Sequence, residues 1–77
     1  MENEGTPELT FGGDAVGLTF NPGNNPQVDE IKKMYANIID RLDQLRLSAT
    51  GEKARYLSIA ITEAQTAQMW AVKGITK

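Results

Sequence analysis

The chain has 77 residues, a formal net charge of −2, 40% hydrophobic side chains, and neither cysteine nor histidine. A chain this short holds one domain at most and buries too little core to stand securely alone; without cysteine there are no disulfides, and without histidine the commonest metal ligand and neutral-pH acid–base group is missing, so self-assembly is the support that remains. The charge is uneven: residues 1–31 carry six acids and no base, whereas residues 32–77 carry all eight bases and four acids, a cationic excess too modest for broad DNA binding.

No apolar run reaches membrane-spanning length and no charged-then-apolar pattern opens the chain, so a soluble cytoplasmic protein with no membrane partner is expected. Residues 1–25 hold five of the seven glycines and little helical periodicity. They read as an extended or irregular segment that docks on another surface, with residues 1–7 loose. Leu9-Thr10-Phe11 recurs as Leu18-Thr19-Phe20 around Gly12-Gly13 and Asp14, a pattern compatible with a short β-hairpin, although an isolated hairpin is marginal in water.

A first long helix is expected over about 26–47. Asn25 can cap its free amides, Pro26 suits the first helical position, and Asp29 and Glu30 lie on the favourable side of the dipole. Val28, Ile31, Tyr35, Ile38, Leu42 and Leu45 follow in alternating steps of three and four, the seven-residue repeat of helices that wind around each other. Met34, Ile39 and Leu47 widen the stripe, which reads as core or interface. Asp43 with Arg46, and Asp29 with Lys33, are ordinary surface pairs.

The chain turns at Ser48–Gly51, and a second helix is expected over about 52–74 with Gly74 as its stop. It carries a large stripe (Leu57, Ile61, Met69, Trp70, Val72) and a small one (Ala60, Ala64, Ala67, Ala71, Gly74), the latter either a close-packing seam or plain helix propensity. Two seams exceed the needs of one hairpin, so other copies of the chain should cover the surplus, with Trp70 as an anchor of that contact. The expected fold is all-α: two long antiparallel helices, a helical hairpin at 26–77, after an extended Gly-rich segment at 1–25, assembled as a homo-oligomer.

Catalytic constellations are missing. Ser48 and Ser58 have no partner pattern, and Asp40 and Asp43 share a helix face with Arg41 and Arg46 nearby, as solvated charges do. Two acids without a third ligand make a poor metal site, and GLTFNPGNN matches neither the phosphate-loop nor the dinucleotide fingerprint. No enzyme, metal or cofactor is expected. Anion binding is another matter. The start of the first long helix offers amides and a positive dipole end, Lys32 and Lys33 follow within two turns, and Phe20 and Asn21 stand just before. Phe20 can stack on a base and Asn21 hydrogen-bond it; alternatively Phe20 covers the apolar stripe and Asn21 holds the turn.

Phe20-Asn21-Pro22, Asn25 to Lys32 (NPQVDEIK), Ile38-Ile39-Asp40, Arg55 to Thr62 (RYLSIAIT) and Ala67 to Lys73 (AQMWAVK) together resemble the small phage-encoded sponges that sequester cyclic oligonucleotide signals: the anti-CBASS cyclic-nucleotide sponges and their relatives that blunt Thoeris immunity. The resemblance covers about residues 17–75. It implies a homo-oligomer, in that family a hexamer, in the host cell cytoplasm. It also implies cyclic dinucleotides held between protomers without cleavage, and in some members cyclic trinucleotides at a separate place or cyclic ADP-ribose isomers. By position it gives base stacking to Phe20, phosphate contact to Lys32 and the trinucleotide site to Arg55; Asn21, Tyr35 and Arg41 are further ligand candidates, Tyr35 through its hydroxyl. The longer Thoeris-blocking relatives carry an N-terminal sheet domain that these residues do not include. Two other readings stay open: a self-assembling structural or protein-interaction hairpin, and a small nucleic-acid-binding regulator, against which the interleaving of bases with acids counts.

Overall fold

Asn25 caps the first long helix. In the computed structural model, which describes residues 9–77, its side-chain oxygen accepts from the amides of Gln27 and Val28 at 2.8 and 3.4 Å. Pro26 takes the first helical position, where its missing N–H costs nothing. Helix α2 then spans Pro26–Arg46 and α3 spans Gly51–Ile75. The four-residue connection at 47–50 lays α3 back antiparallel along α2, and Gly51 opens α3 at φ +60°, a conformation that suits glycine. Gly74 does not stop α3: the helix continues to Ile75, and Thr76 closes it with its amide on the Val72 and Gly74 carbonyls.

The N-terminal segment departs from the extended or irregular expectation at one place. Residues Phe11–Ala15 form a one-turn helix, α1, and no strand occurs among the described residues, so the hairpin suggested by the Leu-Thr-Phe repeat is not formed. Two glycines make this a poor helix by propensity, and a single turn cannot sustain itself. Tertiary contacts hold it. Thr10 caps it, its hydroxyl oxygen accepting from Gly13 N–H at 3.0 Å, and the Asp40 carboxylate of α2 accepts from Gly12 N–H at 2.7 Å. Gly12 lies so close to α2 that a β-carbon there would overlap the Ala36 carbonyl oxygen. Asp40, expected as a solvated charge, is the anchor of this contact.

From α1 the chain runs on as a strap antiparallel to α2, with Phe11 near Arg46, Gly17 near Lys32, and Asn21 near Asp29. The strap changes which α2 residues are buried. Val28, Lys32, Ala36 and Ile39 are buried, while Ile38 and Leu45 of the heptad stripe are exposed. Covered by the strap on one side and α3 on the other, α2 buries the line between them. Ile39 is 0% exposed and stands where Val16, Ala36 and Ile61 meet, with Tyr35, Leu42 and Ala64 packed around; burying such a side chain contributes about 1.5–3 kcal/mol.

On α3 neither expected stripe is buried whole: Ile61 from the large one and Gln68 from between them are the buried residues, and Met69 and Trp70 are exposed. Gln68 Oε1 is buried without a donor among the described residues. Arg46 pairs with Asp43 at 2.7 Å, as the spacing suggests, and also reaches Ser58 of α3 at 3.1 Å. Asp29 accepts from Asn21. The molecule measures 41 × 39 × 12 Å, so its thin dimension is that of one layer of helices. Among the described residues no helix is long and apolar enough to cross a membrane.

Candidate ligand cleft at the open end of the hairpin

The start of α2 and the end of α3 lie side by side, and a cleft of about 580 Å³ opens between them. One wall is the turn before α2, with Phe20, Asn21, Pro22 and Gly23. Its floor includes Val28 and Lys32, and its far wall is Val72, Ile75, Thr76 and Lys77 of α3. The volume falls within the range of roughly 300–1,000 Å³ common for small-ligand sites.

Lys32 is 5% exposed. Its ammonium donates to the carbonyl of Gly17 at 3.0 Å and to that of Phe20, and it stands 5.5 Å from the Phe20 ring centroid. No carboxylate pairs with it among the described residues. Two of its three N–H groups are therefore used by backbone carbonyls. Gly17 holds φ +63°, which turns its carbonyl toward the ammonium. The same lysine thus ties down the strap that carries Phe20, a residue 70% exposed.

The turn itself is closed by Asn21. Its amide group donates to the Asn25 carbonyl and to Asp29 Oδ1, both at 2.9 Å, and its oxygen accepts from Asn25 N–H at 3.2 Å. Both of its N–H donors are committed. The helix amides are committed too: Asn25 takes those of Gln27 and Val28 through its side chain and that of Asp29 through its carbonyl, while Pro26 has none. The expectation that these amides would receive a phosphate is therefore corrected; the cap occupies them.

The remaining candidates lie elsewhere. Tyr35 is half-buried against the core. Arg41 is exposed and bonds Gln44 at 3.3 Å, about 14 Å along α2 from Lys32 at 1.5 Å per residue. Arg55 is in the first turns of α3, roughly 30 Å along the helix from Ile75. There its guanidinium lies 5.9 Å from the Tyr56 ring and borders a shallow hollow with Ser58, Ile59, Thr62 and Glu63. Phe20, Asn21 and Lys32 are brought together; Arg41 and Arg55 are not part of the same cleft. The far wall of Val72, Ile75, Thr76 and Lys77 was not anticipated, although the short turn and the antiparallel register imply it.

Among the described residues no group of three or more His, Cys, Asp or Glu side chains is placed to hold a metal ion. The model of the Acb2/Tad1 hairpin-domain family matches residues 13–76. The chain belongs to the Acb2/Tad1 family. Acb2/Tad1 proteins are the anti-CBASS and anti-Thoeris sponges, which bind their ligands rather than act as enzymes. The Acb2/Tad1 match begins at Gly13, so it takes in most of α1, the strap and both long helices. Comparison with curated proteins and with solved structures gave no match.

Proposed function

We propose that this protein blocks CBASS- or Thoeris-type immunity by sequestering cyclic oligonucleotide second messengers, uncleaved, in the cleft between the start of α2 and the end of α3. The observation that carries this reading is Lys32: a buried ammonium with no carboxylate partner among the described residues, facing a cleft beside an exposed aromatic ring. A phosphodiester supplies the missing anion, and Phe20 offers a stacking face, which is worth about 1–3 kcal/mol per base. Buried in a neighbouring subunit's surface, the same charge pair would be stronger than in water.

The working unit is a homo-oligomer, a hexamer by the family resemblance, acting in the cytoplasm of the host cell. A single protomer is one helix layer thick and leaves its cleft open, so a second copy completes the enclosure. Cyclic dinucleotides are the first candidates. Arg55, at the opposite end of α3, is the position the resemblance gives to cyclic trinucleotides; a cyclic ADP-ribose isomer is the third class to test.

The test is a thermal melt of the purified protein with members of all three classes, followed by denaturation and chromatography of the recovered ligand. A raised melting temperature with intact ligand is expected, because a ligand that binds only the folded assembly stabilises it. No shift with any member would leave a self-assembling structural hairpin as the better reading. Recovery of linear product would overturn sequestration in favour of cleavage.

A further inference from the structure

We propose that the last turns of α3 are the second wall of the nucleotide site, with Val72 and Ile75 as an apolar face for a base and Lys77 as a second cation for a phosphate. This rests on the cyclic-oligonucleotide reading of the cleft and adds residues from the other helix to it.

Val72, Ile75 and Thr76 are three and four residues apart, so they share one face of α3, and that face lines the same cleft as Phe20 and Lys32. Val72 and Ile75 are each half-buried, leaving part of each aliphatic surface turned to the cleft. The Thr76 hydroxyl is turned back onto its own helix, donating to the Val72 carbonyl at 2.9 Å. That bond withdraws the hydroxyl's proton from the cleft and leaves the wall largely apolar. A base that stacks on Phe20 then meets aliphatic carbon on its other side.

Lys77 borders the cleft as well, and no carboxylate pairs with it among the described residues. A helix C-terminus carries partial negative charge and by itself repels an anion. Lys77 places an ammonium at that end, on the border of the cleft. With Lys32 on α2 and Lys77 beyond α3, the two cations come from different arms of the hairpin. A cyclic dinucleotide carries two phosphodiester charges, one for each cation. The inferred wall therefore favours a two-phosphate ring and ties its binding to the spacing of the two helix ends.

The experiment is calorimetric titration of cyclic di-AMP, cyclic di-GMP and cyclic GMP–AMP into the full chain and four variants. Lys77→Glu and Ile75→Ser alter the wall. Lys77→Gln keeps the stem without the charge. Lys53→Glu, in the first turn of α3, makes the same charge change at the far end. Circular dichroism and sedimentation of each variant confirm helix content and assembly.

For each nucleotide the wild type binds, Lys77→Glu and Ile75→Ser are expected to weaken binding about tenfold or more, Lys77→Gln less, and Lys53→Glu less than about twofold. Unchanged binding by both Lys77→Glu and Lys77→Gln would overturn the cation assignment, and unchanged binding by Ile75→Ser would overturn the apolar face. Equal weakening by Lys53→Glu and Lys77→Glu would also overturn the cation assignment, reducing it to net charge. Failure of the wild type to bind any of the three would overturn this wall and the cyclic-dinucleotide reading of the cleft on which it rests, while the thermal melt with the other two classes tests sequestration itself.

Discussion

Lys32 is 5% exposed and Phe20 70% exposed, although the ammonium stands 5.5 Å from the ring centroid. The lysine is therefore part of the fold, and the ring is offered outward. Their substitutions should separate accordingly. Phe20→Ala is expected to leave the melting temperature of the free protein nearly unchanged and to weaken nucleotide binding roughly five- to a hundredfold, the worth of one base–aromatic stack. Lys32→Met removes the donor from the Gly17 and Phe20 carbonyls and should cost about 1–3 kcal/mol of stability in addition to binding. Melting curves with and without nucleotide check both outcomes. A Lys32→Met protein that melts like the wild type would mean that the two carbonyls do not depend on the ammonium.

At the scale of elements, α1 exists because another helix holds it. Its own residues, Phe-Gly-Gly-Asp-Ala, argue against a helix, and the two features that form it lie at a distance or leave no local trace. One is Asp40, 28 residues away from Gly12. The other is the lack of a side chain at Gly12, which lets the strap backbone reach α2. Gly12→Ala is expected to undock α1 and loosen the strap as far as Gly17, with faster hydrogen exchange at the Gly13, Asp14 and Val16 amides while the centre of α2 stays protected. Unaltered exchange at those amides would show that the strap tolerates the added methyl.

The long helices, by contrast, were legible because their signals are local: the Asn25 cap, Pro26 at the first position, and the apolar periodicity that follows. What the periodicity could not convey was burial. Ile38 and Leu45 belong to the heptad stripe yet are exposed, because the strap pulls the buried line of α2 round to Lys32 and Ala36. The cleft was half legible for the same reason. Phe20, Asn21 and Lys32 are close in sequence and could be grouped, but Val72, Ile75 and Lys77 join them only through the return of α3. Asn21 and the helix amides were legible as polar groups, not as groups already used by one another.

At the scale of the whole molecule, a layer 12 Å thick exposes Met34, Ile38, Leu47, Met69 and Trp70 on its surfaces. Scattered exposed apolar residues are ordinary on proteins, but here they include three of the largest side chains on α3 when Tyr56 is counted. Mass action then gives a test of assembly: if copies cover these residues, the apparent melting temperature rises with protein concentration. A melting temperature independent of concentration over a hundredfold range, together with a monomer in sedimentation, would rule out the oligomer.

The placement of Trp70 also gives the protein an optical reporter of its own. It is the single tryptophan of the chain, 66% exposed, and it borders a separate hollow with Thr66, Met69 and Lys73 rather than the cleft at Lys32. Its emission should have the colour of an indole in water when a protomer is alone, and shift to the blue when another copy covers it. A nucleotide arriving at Phe20 would leave that colour unchanged unless the assembly changed with it. The unlabelled tryptophan would thus follow growth of the oligomer alone, and a calorimetric titration alongside it would follow capture of the ligand.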